Sequence, residues 1–133
     1  MLVLESARHE MSDQVVTMFR PTGPKELELV AKLDWKRWPP RLPGQPIFYP
    51  VTNQSYAEQI ARDWNVPESG AGFVTRFNVR KQFADRFEVH QVGGEEHTEW
   101  WIPAEELEEL NDNIVGRIEI VATFPTNGTE QSP

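Results

Sequence analysis

Residues 72–79 read GFVTRFNV, and the fold class turns on how that stretch is taken. Phe73, Thr75, Phe77 and Val79 share one side of a two-residue repeat, while Val74, Arg76 and Asn78 share the other. A helix of 3.6 residues per turn would scatter these side chains around its axis, so the pattern predicts a strand with one dominant apolar face. Upstream, the β-branched run VVTMF at 15–19 predicts a first strand, ended by Arg20-Pro21-Thr22-Gly23-Pro24. Thr22 or Gly23 then caps a helix that accepts Pro24 in its first turn. In it Leu27, Val30 and Ala31 recur at helical spacing, Leu29 and Leu33 broaden the stripe, and Lys25, Glu28 and Lys32 face outward.

Residues 35–44, WKRWPPRLPG, hold three prolines and a glycine and are expected to form an ordered loop anchored by Trp35 and Trp38. Ile47-Phe48-Tyr49 predicts a short strand stopped by Pro50. Thr52 or Asn53 caps a second helix to about Trp64, with Tyr56, Ile60 and Trp64 at four-residue steps beside Ala57 and Ala61. Beyond the 72–79 strand, a short amphipathic turn surrounds Phe83. Segments 88–92 and 95–102 flank Gly93-Gly94, predicting a two-residue hairpin turn that sets His90 opposite His97. In the second arm Glu96, Thr98, Trp100 and Ile102 share one face, and His97, Glu99 and Trp101 the other. Pro103 closes that strand, residues 104–111 form an acidic helical turn with Leu107 and Leu110 inward, and residues 114–124 form a last strand with Gly116 as its bulge.

Two early helices followed by a run of strands predict an α+β domain with mainly antiparallel strands, not a doubly wound sheet. The expected organisation is a flexible N-terminal arm at 1–14, one domain at 15–124 and a disordered tail at 125–133, with Met11 available as a second start.

The 133 residues carry no cysteine, which removes disulfides, thiolate metal sites and cysteine nucleophiles and suits a reducing, cytoplasmic location. No apolar run reaches the roughly 18–20 residues of a bilayer span, and residues 1–10 lack a signal-peptide core. The net charge of −8 argues against nonspecific nucleic-acid binding, which requires phosphate neutralisation. That charge is uneven. Residues 20–41 hold six basic side chains against three acidic ones, whereas 42–133 hold six against fifteen. The basic stretch is read either as a solvated helix face or as a rim for the phosphates of a small ligand. The three histidines lack metal-ligand spacing, and no metal site is expected. The pairs Glu95-Glu96, Glu105-Glu106 and Glu108-Glu109 are read as solvated faces.

The segments FRPTGPKELELV, IFYPVTNQSYAEQIARDW, GFVTRF and WWIPAEELEELNDNIVGRIEI are spread over roughly residues 17–124. They are similar to a family of small bacterial proteins labelled "ADP-ribosylation/crystallin J1". More widely, the order of a first strand bearing Arg, an aromatic-bearing strand feeding a helix, and a Glu-bearing strand ending in Ile-Pro resembles the ADP-ribosyltransferase-like superfamily. The resemblance implies a compact domain of that fold, with NAD as its ligand. It implies that Arg20 holds the nicotinamide ribose or a phosphate, that Tyr49 or Tyr56 stacks on nicotinamide, and that Arg37 or Arg41 neutralises pyrophosphate. Glu99 would bond the ribose 2′-hydroxyl and stabilise the oxocarbenium-like charge as nicotinamide leaves. Three functional readings stay open: transfer of ADP-ribose to an acceptor (or hydrolysis of NAD), a non-catalytic module that keeps the fold and meets a protein partner, and a small-molecule sensor in which Trp35 and Trp38 line a pocket. The sequence departs from the superfamily in having His97 two residues before Glu99 and no Ser-Thr-Ser second motif.

Overall fold

A computed structural model describes residues 14–125. The arm and tail expected at 1–14 and 125–133 therefore lie, apart from Gln14 and Pro125, outside the described residues, as does His9. The chain runs β1 (Val15–Thr22), α1 (Pro24–Lys32), β2 (Ile47–Phe48), α2 (Gln54–Ile60), a π-helical turn (Ala61–Asn65) and α3 (Val66–Ser69). It continues through β3 (Gly72–Arg80), α4 (Lys81–Ala84), β4 (Val89–Gln91), β5 (Thr98–Trp100) and β6 (Ile102–Pro103). A 3-10 turn (Ala104–Glu106), α5 (Leu107–Asp112) and β7 (Ile114–Phe124) complete it. Every strand pairing is antiparallel, so the architecture is α+β with an antiparallel sheet. No helix among the described residues is long and apolar enough to cross a membrane.

The strand at 72–79 is the middle of the main sheet, in the order β1-β3-β7. Thr75, Phe77 and Val79 are buried as their alternation predicts, and Arg76 is exposed. Val74 departs from the one-faced pattern. It is buried on the opposite face with Val51, Ala57 and Ala61, because α2 and the π-turn cover that end of the sheet. β1 runs three residues past its predicted end, pairing Arg20 with Thr75 and Thr22 with Phe73. Phe19 exchanges both backbone bonds with Val51 (2.9 and 2.7 Å). By the two-residue alternation Pro21's missing N–H lies on that same side, away from β3, so proline does not stop the strand.

A second seam extends the sheet. Val51 bridges Phe19 on one side and Glu99 on the other, while β2 pairs with β6. Residues 47–52 thus lie between β1 and the β5–β6 segment.

Three local expectations are corrected. The hairpin turn has four residues, not two: Gln91 pairs with Thr98 and Val92 N–H donates to the His97 carbonyl, leaving 93–96 as the loop. Neither Gly93 nor Gly94 takes a positive φ; the His97 ring instead accepts from Gly94 N–H at Nδ1. The register moves by two, so His90 faces Glu99 and not His97, while the side-chain faces are preserved. The second helix does not stay regular to Trp64. The π-turn adds a residue to the winding and rotates Trp64 outward, where it is 72% exposed. In α1 only Val30 is buried, so the apolar stripe is narrower than its sequence spacing suggests.

Gly116 sits at φ +82 where β7 shifts register against β3, the expected bulge. Asn53, not Thr52, caps α2, its side chain accepting from Tyr56 N–H at 2.7 Å.

The Pro-rich loop is pinned by Trp38. This residue is fully buried and meets Phe77 edge-on (5.2 Å) and Phe48 at a tilt (5.4 Å). Buried Asn111 clamps its backbone, accepting from Trp38 N–H (2.8 Å) and donating to Trp38 C=O (3.0 Å). Trp35 packs on the same core, and its carbonyl accepts from Ile118 N–H.

Two substitutions test this packing. Asn111→Ala leaves two buried backbone groups of Trp38 without partners and is expected to destabilise by about 2–4 kcal/mol, read from denaturant unfolding. A Cβ at Gly72 would stand 2.7 Å from the Ala61 carbonyl oxygen, so Gly72→Ala should cost about 1–3 kcal/mol in the same assay.

Candidate functional site

The seam through Val51 decides which distant residues meet. Arg20 follows Phe19 in β1, Tyr49 precedes Val51 by two residues, and Glu99 is Val51's other bridge partner. All three line one open cleft of about 310 Å3, with Val51, Ile60 and Asn65.

Glu99 is half-buried and held from both oxygens. Tyr56 O–H donates to Oε2 (3.1 Å) and Trp101 Nε1–H donates to Oε1 (2.9 Å). Each carboxylate oxygen has more than one acceptor position, so lone pairs remain for a ligand hydroxyl or cation. No ion pair engages Glu99 among the described residues.

The two donors are themselves supported. The Tyr56 ring stacks on His97 (4.6 Å, 23°), and Trp101 stacks on His90 (3.8 Å, 9°). Because His97 Nδ1 accepts from Gly94 N–H, its proton lies on Nε2, which faces Gln59 Oε1 at 3.2 Å. Asn53 ties α2 to the hairpin a second time, Nδ2 donating to the Glu96 carbonyl (2.8 Å). The two threonines Thr52 and Thr98 join their hydroxyls beside it.

Above the carboxylate, Tyr49 and Trp101 meet edge to face at 6.4 Å, and each is 41% exposed. An anion beside two partly exposed aromatic rings suits a ligand with a planar or cationic group and hydroxyls.

Tyr56 ionises late. Burial is the largest cause, and the Glu99 charge and hydrogen bond add to it, pushing the phenol up to about 12.

Arg20 is largely buried, and its guanidinium closes on Glu26 in a bidentate pair, Nε to Oε2 (2.9 Å) and Nη2 to Oε1 (3.0 Å). It lies over Phe48 at 4.5 Å. Arg41 lies over the same ring at 5.8 Å and lines a neighbouring cavity, not the Glu99 cleft. Its affinity for its proton is lowered, first by burial and then by repulsion from Arg20, with Glu26 and Tyr49 opposing. Arg37 is elsewhere, its fork engaged by Glu108 (2.5 Å) and Asp112 (3.0 Å) on α5.

Of the six residues singled out from sequence, Arg20, Tyr49 and Glu99 meet in the cleft, Tyr56 supports it from behind, Arg41 stands next door, and Arg37 does not take part. Glu26 and Trp101 were missed, and His97 was noted only for its place in the hairpin, two residues before Glu99. Glu26 had only its place in the first turn of α1 as a signal, and Trp101 only its shared strand face with Glu99. Among the described residues no three His, Asp or Glu side chains gather as metal ligands. Comparison with protein-family models, with curated proteins and with solved structures finds no match to this chain.

The Tyr56–Glu99 contact makes a pH prediction. A phenol raised from its ordinary 10.0 to about 12 holds its proton more tightly folded than unfolded. Its contribution to stability is therefore present below pH 10.0 and is lost as pH rises through about 12. Ultraviolet titration should show a phenolate step near 12 in the wild type that is missing in Tyr56→Phe. The wild type should also lose stability more steeply than the variant across that window.

Proposed function

We propose that this domain binds NAD in the cleft formed by Arg20, Tyr49 and Glu99 and acts as an ADP-ribosyltransferase-like protein. It would pass ADP-ribose to an acceptor, or to water as a slow NAD hydrolase. The observation that carries the reading is the meeting of these three residues, about thirty and fifty positions apart in sequence, on one opening. They are the residues that the resemblance to the ADP-ribosyltransferase-like superfamily picks out, and the antiparallel α+β architecture is compatible with such a fold.

In this reading the nicotinamide ring lies against Tyr49, and the exposed lone pairs of Glu99 accept from the ribose 2′-hydroxyl. The bond between ribose C1′ and the nicotinamide nitrogen breaks, and its electron pair leaves with neutral nicotinamide. The fixed negative charge of Glu99 stabilises the oxocarbenium-like ribose that remains. An acceptor hydroxyl or water then bonds to C1′ and releases its proton to solvent. Tyr56 and Trp101 act as positioning residues, holding the carboxylate so that little reorganisation accompanies the charge change.

A second reading, a non-catalytic interaction module that retains the fold, is favoured by one contact. Arg20 already donates from Nε and Nη2 to Glu26, and from Nη1 to the Tyr49 carbonyl (3.5 Å), which leaves little of its fork for a ribose or phosphate. The acidic surface and the exposed tip of the Pro-rich loop would then meet a protein partner.

Calorimetric titration with NAD, with nicotinamide release followed in the same samples, separates the two. The expected outcome is binding with slow release, and at least a hundredfold slower release in Glu99→Gln, on the scale of about 10²–10³ for one lost electrostatic contact. Absence of binding at millimolar NAD would leave the interaction module as the reading.

A further inference from the structure

Arg41 is a partly buried guanidinium that has no acceptor among the described residues. Its Nε is shielded from solvent and has no hydrogen-bond partner. Among the described residues no carboxylate pairs with it. It projects from the Pro-rich loop that Trp38 and Asn111 pin to the core, so its place does not depend on a free strand end.

Arg41 lines a cavity of about 500 Å3 between that loop and α1. Arg20 and Lys25 bring two more cations to the walls, against the carboxylates of Glu26 and Glu28. Glu26 is closed on Arg20 and partly offsets Arg41 as well, but three cations still face two carboxylates. The cavity is therefore locally positive in a chain whose net charge is −8. Placing one guanidinium beside another in a partly desolvated site costs free energy unless an anion offsets it. Leu29, Pro40 and Leu42 give the remaining walls an apolar character.

We propose that this cavity binds an organic phosphate, with the phosphate oxygens between Arg41 and Lys25 and the organic part against Leu29 and Leu42. A carboxylate can be satisfied by one guanidinium fork. A phosphate presents three oxygens and suits cations that arrive from two separate elements. The site goes beyond the Glu99 cleft: Arg20 is a wall of both cavities, but Glu99 does not line this one. Phosphate binding here needs no bond cleavage at Glu99 and stands whether or not NAD is consumed.

The test is calorimetry and thermal unfolding of the full chain at low salt, using ADP, inorganic pyrophosphate and adenosine as probes. ADP is expected to bind the wild type and raise its Tm, and adenosine is not. Arg41→Gln removes an unpartnered charge, so its ligand-free Tm should not fall, and its ADP affinity should drop about tenfold or more. Lys25→Gln, at an exposed position, should weaken ADP as well and provides the second variant. Glu99→Gln should keep wild-type ADP affinity, which separates this site from the cleft. No ADP response in the wild type would overturn the proposal, as would unchanged affinity in both Arg41→Gln and Lys25→Gln. Loss of ADP binding in Glu99→Gln would move the phosphate to the other cavity. Pyrophosphate binding as tightly as ADP would overturn the assignment to an organic ligand.

Discussion

Val51 joins the two halves of the sheet. It exchanges both backbone bonds with Phe19 on one side and bridges to Glu99 on the other. Without that seam the β1-β3-β7 sheet and the β4-β5 hairpin would be separate units, and Arg20 would have no reason to lie near Glu99. The side chain takes part as well. It is buried with Ala57, Ala61 and Val74 under the second helix, so hydrogen bonding and apolar burial act on the same residue. A backbone pairing buried in this way is hard to exchange for water, which makes the relative placement of β1 and β5 a rigid property of the fold.

The candidate site is built outward from this seam by side chains that each have a second task. Asn53 caps the second helix and ties it to the hairpin, and Tyr56, one turn on, reaches Glu99. His97 closes the hairpin loop and cushions the Tyr56 ring. On the other wall, the same loop that Trp38 fixes in the core delivers Arg41 next to Arg20. The two arginines differ in kind: one is satisfied by Glu26 in bidentate geometry, the other has no acceptor among the described residues. That asymmetry is the main electrostatic feature of this face of the molecule.

The sequence showed the longer strands well, even where, as at Val74, both faces are buried. The alternation at 72–79 and the aliphatic run at 114–124 both became strands of the main sheet, and Gly116 marked the bulge. It showed less where a tertiary contact competes with a local rule. Gly93-Gly94 is a strong two-residue turn signal, yet the His97 side chain stabilises a wider loop by bonding Gly94. Tyr56, Ile60 and Trp64 keep helical spacing, but the π-turn where Gly72 approaches Ala61 breaks the stripe. In the site, Arg20, Tyr49 and Glu99 were reachable from the order of motifs. The Arg20–Glu26 pair was not, because a salt bridge across a strand–helix junction leaves no periodic trace. Trp101 showed only a strand face shared with Glu99, and it acts as a hydrogen-bond donor to that carboxylate.

The central functional claim is that a ligand enters the cleft beside a carboxylate fixed by Tyr56 and Trp101. The most direct measurement is an NMR titration with NAD that follows the tryptophan indole N–H resonances. The account predicts a saturable shift of the Trp101 indole, whose hydrogen is bonded to Glu99, with the Trp35 indole unmoved. A Trp101 resonance that stays fixed while NAD reaches millimolar concentration, or that moves only in step with Trp35, would contradict it.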